Sequence, residues 1–296
     1  MRAVVTGAGG FMGGYLVRHL LNQGADVTTL ARTKRAPLGT RELMLATPWS
    51  REDLVDMLSS EQPDVVFHLV GTARSDDFTA LYEANLFLSQ RLLEAAARIV
   101  PQPLVVLMGS AAEYGYPAVP GRPSTESDLC MPLTSYGIAK HAQTLHGLAW
   151  ARTGQPVVIA RLFNPVGAGL PLGFVLSDFV KQIRDGAEVL RVGNLSVSRD
   201  FLDAADAARA IYDLSLCKEA VGRVVNVCSG VPQELPRLLD GLIVRSGRNI
   251  RVKTEPSRVR AADIPISYGS TETLKGLGIR PPTPLSEETL DLLMAG

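Results

Sequence analysis

The sequence predicts an α/β fold, a doubly wound parallel sheet that carries a smaller C-terminal lobe. Three observations lead there. A short apolar run at residues 3–5 is followed by Gly7, Gly10 and Gly13, then by apolar residues at helical spacing over 15–21. Strand-like and helix-like stretches alternate through about residue 165, the pattern of parallel strands joined by crossover helices. Beyond Gly167 the chain becomes rich in Pro and Gly and loses that rhythm. Residues 1–166 are expected to form a Rossmann-type domain, with a return over about 200–228, where 203–216 reads as a helix and 223–227 as a strand. Residues 167–199 and 229–296 are expected to form the smaller lobe.

The opening motif comes first. Strand, glycine turn and helix are the context a dinucleotide site requires. Gly7 permits the tight turn, Gly10 lets backbone N–H groups approach a pyrophosphate, and Gly13 lets helix and strand pack closely. Phe11 and Met12 lie between the last two glycines and complete the expected cradle. The second strand, 25–30, decides which dinucleotide. An acidic residue at its end would accept from the ribose 2′-OH of NAD. The sequence instead has Ala31 and Arg32, with Lys34 and Arg35 close behind. A carboxylate repels a 2′-phosphate, whereas a guanidinium binds one bidentately. The expected cofactor is therefore NADP(H), with Arg32 reading the phosphate. The plainer account of these charges is a basic surface loop.

The stretch Thr134-Ser-Tyr-Gly-Ile-Ala-Lys140 carries the chemistry. It places Tyr136 and Lys140 four residues apart, on one face of a helix. A tyrosine is a poor acid or base near neutrality, since its ordinary pKa is about 10. An ammonium one turn away favours the phenolate and brings the group closer to working pH. Such a pair can pass a proton to or from a sugar oxygen.

These residues resemble a known family. Gly7-x-x-Gly10-x-x-Gly13, a serine ahead of the tyrosine, and Tyr136-x-x-x-Lys140 look like the extended short-chain dehydrogenase/reductases that act on nucleotide sugars. The resemblance runs along almost the whole chain. It implies that Val66-Phe-His-Leu-Val-Gly71 is the fourth strand, under adenosine and ribose, with Leu69 at the cofactor. Asn85 matches an asparagine of that family. The stretch 105–115 resembles the fifth strand, with Ser110 at the catalytic Ser/Thr position. Arg161-Leu-Phe-Asn-Pro-Val-Gly167 is similar to the loop that passes the nicotinamide and begins the substrate site, which puts Phe163 with the cofactor and Asn164 with the substrate.

Segments 174–182, 192–195, 198–201 and 255–265 resemble the GDP-4-keto-6-deoxy-D-mannose reductases and their relatives, the GDP-mannose 4,6-dehydratases. By that resemblance Arg199 and Arg260 contact the substrate's diphosphate, a task suited to arginine forks, and the C-terminal lobe binds the sugar nucleotide. Ion pairs with Asp200 or Asp263 are the plainer reading of those two arginines.

One departure from the dehydratases has mechanistic content. They carry a carboxylate just after the catalytic Ser/Thr, to remove a proton and expel a hydroxyl. Here Ala111 and Ala112 follow Ser110. Glu113 is one step further, and on a strand that shift turns a side chain to the opposite face. Reduction is thus expected rather than elimination. The expected activity is NADPH-dependent reduction of the 4-keto group of a nucleoside-diphosphate 4-keto-6-deoxyhexose, GDP-linked by resemblance, with a dTDP-linked sugar as the other candidate. Ser110 would hydrogen-bond the carbonyl, Tyr136 donate the proton, and Lys140 tune Tyr136 and hold the nicotinamide ribose. An epimerase or 4,6-dehydratase is the runner-up. An NADP-sensing regulatory protein is the non-enzymatic alternative, although a sensor has no need of Ser110, Tyr136 and Lys140 together. The stretch 45–50 has no acid to meet an adenine, and Trp49 reads as a core or surface residue.

Composition narrows the classes. Of 296 residues, 46% are hydrophobic, ample for a core, and 30 basic residues balance 30 acidic ones. That balance suggests no face for nucleic acid, and no apolar run approaches a membrane span. The first residues form a strand rather than a secretory leader, so a cytoplasmic location is expected. Cys130, Cys217 and Cys228 lack paired or ligand spacing, and the four histidines form no helical metal pair, so no metal is assigned. The resemblance also implies a homodimer formed by the helices that bear Asn85 and Tyr136, with Ala139, Ala142, Leu145, Leu148 and Ala149 as apolar surface.

Overall fold

Seven parallel strands form the central sheet of the computed structural model, which describes residues 1–31, 37–45, 48–73, 75, 77–258 and 264–295. The strands are β1 (Arg2–Thr6), β2 (Asp26–Ala31), β3 (Arg41–Met44), β4 (Val65–His68), β5 (Leu104–Ser110), β6 (Val157–Leu162) and a last one, Val224–Val227. Across the sheet the order is Val224–Val227, β6, β5, β4, β1, β2, β3. The chain winds outward from β1 to β3, then crosses back to place β4 on the other side of β1. That reversal opens a crevice at the C-terminal ends of β1 and β4, where open α/β sheets bind ligands.

The α/β doubly wound architecture expected from the sequence is present. The inner strands are buried on both faces, so they read as continuous apolar runs rather than alternating ones. Val65, Val66, Phe67, Val105, Val106, Leu107, Val157, Val158 and Ile159 are all essentially inaccessible. One face is covered by α1 (Phe11–Asn22) and the Ala204–Leu216 helix, whose Leu16, Leu20, Ile211 and Leu214 pack with Val5 and Phe67. The other is covered by the Arg51–Glu61 and Leu88–Ala96 helices, whose Leu54, Leu58, Leu92 and Leu93 pack with Val4, Val66 and Val105. Each such side chain contributes roughly 1.5–3 kcal/mol of burial. A third apolar cluster lies among the helices Val175–Arg184, Leu235–Arg245 and Glu287–Ala295, and includes Leu176, Phe179, Leu239 and Leu290. Beside it, strands Val189–Val192 and Arg251–Thr254 pair in parallel.

The elements differ from the sequence reading at their edges. The second strand runs one residue later than expected. The fourth ends at His68 instead of residue 71, opposite Thr6, the last residue of β1, to whose carbonyl the Leu69 N–H still donates (3.1 Å). The fifth ends at Ser110 and passes into a 3-10 turn, Ala111–Glu113. Trp49 is a core residue, with its indole N–H donating to the Leu45 carbonyl (3.3 Å). Among the described residues no helix is long and apolar enough to cross a membrane.

Candidate active site

The glycine turn sits at the head of the crevice. Gly7 has φ +75°, and a Cβ there would lie 2.9 Å from the Leu69 carbonyl carbon and from the Val70 nitrogen. A Cβ on Gly13 would lie only 2.1 Å from the Gly7 carbonyl oxygen. So the turn, α1 and the loop after β4 meet at backbone distance. Leu69, expected at the cofactor, supplies part of that loop backbone. Gly10 caps α1 with no side-chain hydrogen bond, and the first turn has no acidic residue. The first-turn N–H groups, at Phe11, Met12 and Gly13, therefore face the crevice end without an internal partner or a competing carboxylate. A dinucleotide pyrophosphate fits that chemistry. Ala31 ends β2 at the rim. Arg32, with Lys34 and Arg35, lies outside the described residues, as do Arg260 and Asp263.

Tyr136 and Lys140 share the first turns of the Ser135–Arg152 helix, capped by Thr134, whose hydroxyl accepts from the Gly137 N–H (3.0 Å). This helix presses directly on the turn after Ser110. A Cβ on Gly137 would lie 2.5 Å from the Ala112 carbonyl oxygen. The glycine thus lets Tyr136 come up beside Ser110. Burial pushes the Tyr136 phenol above its ordinary pKa. The neighbouring Ser110 hydroxyl pulls the other way, and the Glu113 carboxylate adds to the rise. This corrects the expectation that Lys140 brings the phenol down towards neutrality. Desolvation, the largest cause, disfavours the phenolate.

Lys140 itself is buried, with Nζ donating to the Met108 carbonyl (3.0 Å) and to Gln143 Oε1 (3.0 Å). Burial lowers its pKa to about 8, against the pull of Glu113. The loop after β4 lies over it. An added Cβ on Gly71 would be 3.1 Å from Lys140 Nζ and 2.7 Å from Asn85 Oδ1. Asn85, inside a π-helical turn (Glu83–Phe87), accepts from the Thr72 N–H (3.1 Å) and donates to the Thr72 carbonyl (2.8 Å). It pins the loop that roofs Lys140.

Glu113 sits where no strand geometry would put it. Because residues 111–113 form a 3-10 turn, its side chain folds inward beneath Ser110. Its Oε1 accepts from the Ser110 N–H (2.8 Å), and its Oε2 from Arg161 Nη2 (2.8 Å) and Nε (3.2 Å). His141 Nδ1 stands 3.8 Å from Oε2, beyond hydrogen-bonding distance. Burial opposes the charge, but the His141 imidazole, Arg161 and the Ser110 N–H outweigh it and hold the carboxyl below its ordinary pKa. Glu113, Cys130 and His141 converge like a ligand cluster, yet the cation at that point is Arg161. The sequence reading gave no role to Arg161, His141 or His68. His68, at the end of β4, bonds Thr6 Oγ1 through Nδ1 (2.9 Å), and burial, then Lys140, lowers its pKa to about 3.

Phe163, expected at the cofactor, is buried just after β6, and Asn164, expected at the substrate, follows it, its Nδ2 donating to the Asp200 carbonyl (3.0 Å). Asp200 is not an ion-pair partner of Arg199. It is buried and accepts from the Ser229, Gly230 and Gly269 N–H groups, tying three loops together. Arg199 Nη1 donates to the Ile264 carbonyl (2.6 Å), beside the segment that contains Arg260.

A glycine cradle at the reversal point of a doubly wound sheet defines a dinucleotide-binding α/β protein, here with a serine, a tyrosine and a lysine gathered beside the crevice. The chain matches the NAD dependent epimerase/dehydratase family over residues 3–228, and it belongs to that family of NAD(P)-dependent enzymes. It is 34% identical to dTDP-6-deoxy-L-talose 4-dehydrogenase (NAD(P)(+)) of Kitasatospora kifunensis, over 88% of this chain and 83% of that one. It is 31% identical to GDP-6-deoxy-D-mannose reductase of Pseudomonas aeruginosa, over 88% and 86%. Among solved structures, RMD from Pseudomonas aeruginosa complexed with NADPH superposes with TM-score 0.80 at 28% identity, covering 99% of this chain and 96% of that one.

Proposed function

We propose that this protein reduces the 4-keto group of a nucleoside-diphosphate 4-keto-6-deoxyhexose, with NADPH as the hydride source. The observation that carries this reading is the turn after Ser110. Ala111 and Ala112 offer no proton, and the nearest carboxylate, Glu113, is locked beneath the turn by Arg161 and the Ser110 N–H. Elimination needs a free acid and base at that point; reduction needs only the Tyr136 proton. The two relatives named above, one a 4-dehydrogenase and the other a reductase of 6-deoxyhexose nucleotides, support the same chemistry.

NADPH, when bound, would supply a hydride to C4 of the sugar. The Gly7–Gly13 cradle and the start of α1 would hold its pyrophosphate, with Arg32 at the 2′-phosphate and Leu69 and Phe163 along its length. Ser110 would donate to the carbonyl oxygen and orient the ketone. As C4 gains hydride, Tyr136 would pass its proton to the forming alkoxide. Lys140 would bind the nicotinamide ribose hydroxyls and offset the phenolate left behind. Asn164, Arg199 and Arg260 would hold the substrate, the arginines at its diphosphate. Those last contacts bind ground and transition states alike, so they set KM more than kcat.

The test supplies the purified enzyme with GDP- or dTDP-4-keto-6-deoxyhexose and NADPH, and analyses the product. Stoichiometric NADPH oxidation with formation of a 6-deoxyhexose nucleotide is expected. Loss of a hydroxyl from GDP-mannose or dTDP-glucose, with no keto sugar added, would replace reduction with the dehydratase reading.

A further inference from the structure

Asp200 is fully buried, at 0% exposure, beside the two side chains expected to hold substrate, Asn164 and Arg199. Burying a carboxylate is costly unless donors surround it. Here they do. Oδ1 accepts from the Ser229 N–H (2.9 Å) and the Ser229 hydroxyl (2.6 Å), and Oδ2 from the Gly230 N–H (3.0 Å) and the Gly269 N–H (3.2 Å). Each oxygen thus faces at least one backbone N–H, which can only donate. A carboxylate fits that setting and an amide does not.

The donors frame one strand. Ser198–Arg199 is the middle of a three-stranded sheet, between Gln233–Glu234 and Ile266–Ser267. Ser229 and Gly230 lead into the first of these flanking strands, and Gly269 follows the second. The Asp200 N–H ties the same end by donating to the Ser267 carbonyl (3.1 Å). Two residues ahead of that second strand, the Ile264 carbonyl accepts from Arg199 Nη1 (2.6 Å), as does the Ser198 carbonyl (2.9 Å). The Asp200 carbonyl in turn holds Asn164, through its N–H (3.2 Å) and its Nδ2 (3.0 Å). One residue therefore fixes both flanks of the strand that bears Arg199, and the Asn164 side chain as well.

We propose that Asp200 is a positioning residue for the substrate's diphosphate: its carboxylate locks the flanking strands that steady the Arg199 guanidinium, and its carbonyl fixes the Asn164 amide. The proposal rests on the reading of Arg199 and Asn164 as substrate contacts. A guanidinium fork recognises a diphosphate through direction as well as charge, so a loosened strand weakens binding even with the arginine present.

The test measures binding of GDP and of dTDP to the full-length protein by calorimetry with NADPH present; both probes carry the diphosphate without a keto sugar. Asp200→Asn keeps the shape but turns an NH2 towards an N–H. It should weaken nucleoside-diphosphate binding roughly 10- to 100-fold, the scale of hydrogen bonds to a charged group, with NADPH affinity near wild type. In turnover KM should rise by more than kcat falls. Ser229→Ala removes one bond and leaves the three N–H donors in place, so it tests the idea even where Asp200→Asn fails to fold. It should weaken nucleotide binding about fivefold, and by less in an Arg199→Ala background, because the effect passes through the arginine. Equal weakening in both backgrounds, or lowered thermal stability with nucleotide affinity unchanged, would overturn the proposal. No binding of GDP or dTDP by wild type, or equal binding by Arg199→Ala, would instead remove the diphosphate reading of Arg199, and the proposal with it.

Discussion

Gly137 lies against the Ala112 carbonyl so closely that an added Cβ would stand 2.5 Å from its oxygen. The Ser135–Arg152 helix and the serine turn therefore touch backbone to backbone. Gly137→Ala must push the helix outward and carry Tyr136 from Ser110. A displacement near 1 Å costs about 100-fold in well-oriented catalysis. A fall in kcat of that order is expected, with NADPH affinity retained, since the glycine cradle is untouched. Steady-state kinetics with fluorescence titration of NADPH would check it. An equal loss in NADPH binding would place the damage elsewhere.

Tyr136→Phe keeps the ring and removes the proton. Turnover should drop roughly 100- to 10,000-fold, the worth of general acid catalysis, while cofactor binding stays near wild type. Lys140→Met should lower both, because the ammonium serves the phenol and the ribose. Near wild-type turnover in the phenylalanine variant would rule Tyr136 out as the acid.

Cofactor choice should follow the end of β2. Wild type is expected to prefer NADPH. Ala31→Asp with Arg32→Ala should shift preference to NADH, because the new carboxylate repels a 2′-phosphate and accepts from a free 2′-OH. The ratio of kcat/KM values for the two cofactors measures it. Equal use of both by wild type would remove the phosphate-reading role from Arg32.

The pH dependence of stability has a definite sign at His68. Folded, it stays neutral until about pH 3; unfolded, it takes a proton near 6.5. Between those values the unfolded chain binds more protons, so stability present above 6.5 is lost as pH falls towards 3. Urea midpoints should decline through that window in wild type and decline less in His68→Asn. Parallel declines would show that other groups govern acid unfolding.

Pairing of two copies through the Phe78–Ala96 region and the Ser135–Arg152 helix remains an expectation, with its residues revised by burial. Ala139 is fully buried and offers no surface, and Leu148 is half-buried against the core. Leu145, as expected, is exposed, at 54%, and Ile138 and Phe87 are exposed as well, at 46% and 43%. Leu145→Glu should convert a two-fold dimer to monomer in light scattering at micromolar concentration. A wild type that is already monomeric would end the idea.

Local patterns made much of this protein legible before folding was considered. Gly7, Gly10 and Gly13 at triplet spacing, and Tyr136 with Lys140 one turn apart, are periodic signals within single elements. Their chemistry follows from backbone geometry alone. The same holds for the apolar runs of β1, β4, β5 and β6, whose two-sided burial leaves no other pattern. Boundaries were less legible where distant groups set them. His68 is the last residue of β4 to pair with β1, opposite Thr6, and the Glu113 carboxylate that closes the serine turn is held by Arg161 from β6.

The sequence by itself determined the doubly wound sheet, the glycine cradle, and the serine, tyrosine and lysine that a nucleotide-binding crevice would use, since each is written in neighbouring residues. Only the tertiary structure decided how those groups are charged and held. It placed Glu113 on Arg161 across 48 residues of chain, slid Gly137 onto Ala112, and half-buried Tyr136, which pushes its phenol above the ordinary pKa. Burial and electrostatics depend on which distant elements pack together, and no periodicity within one element records that.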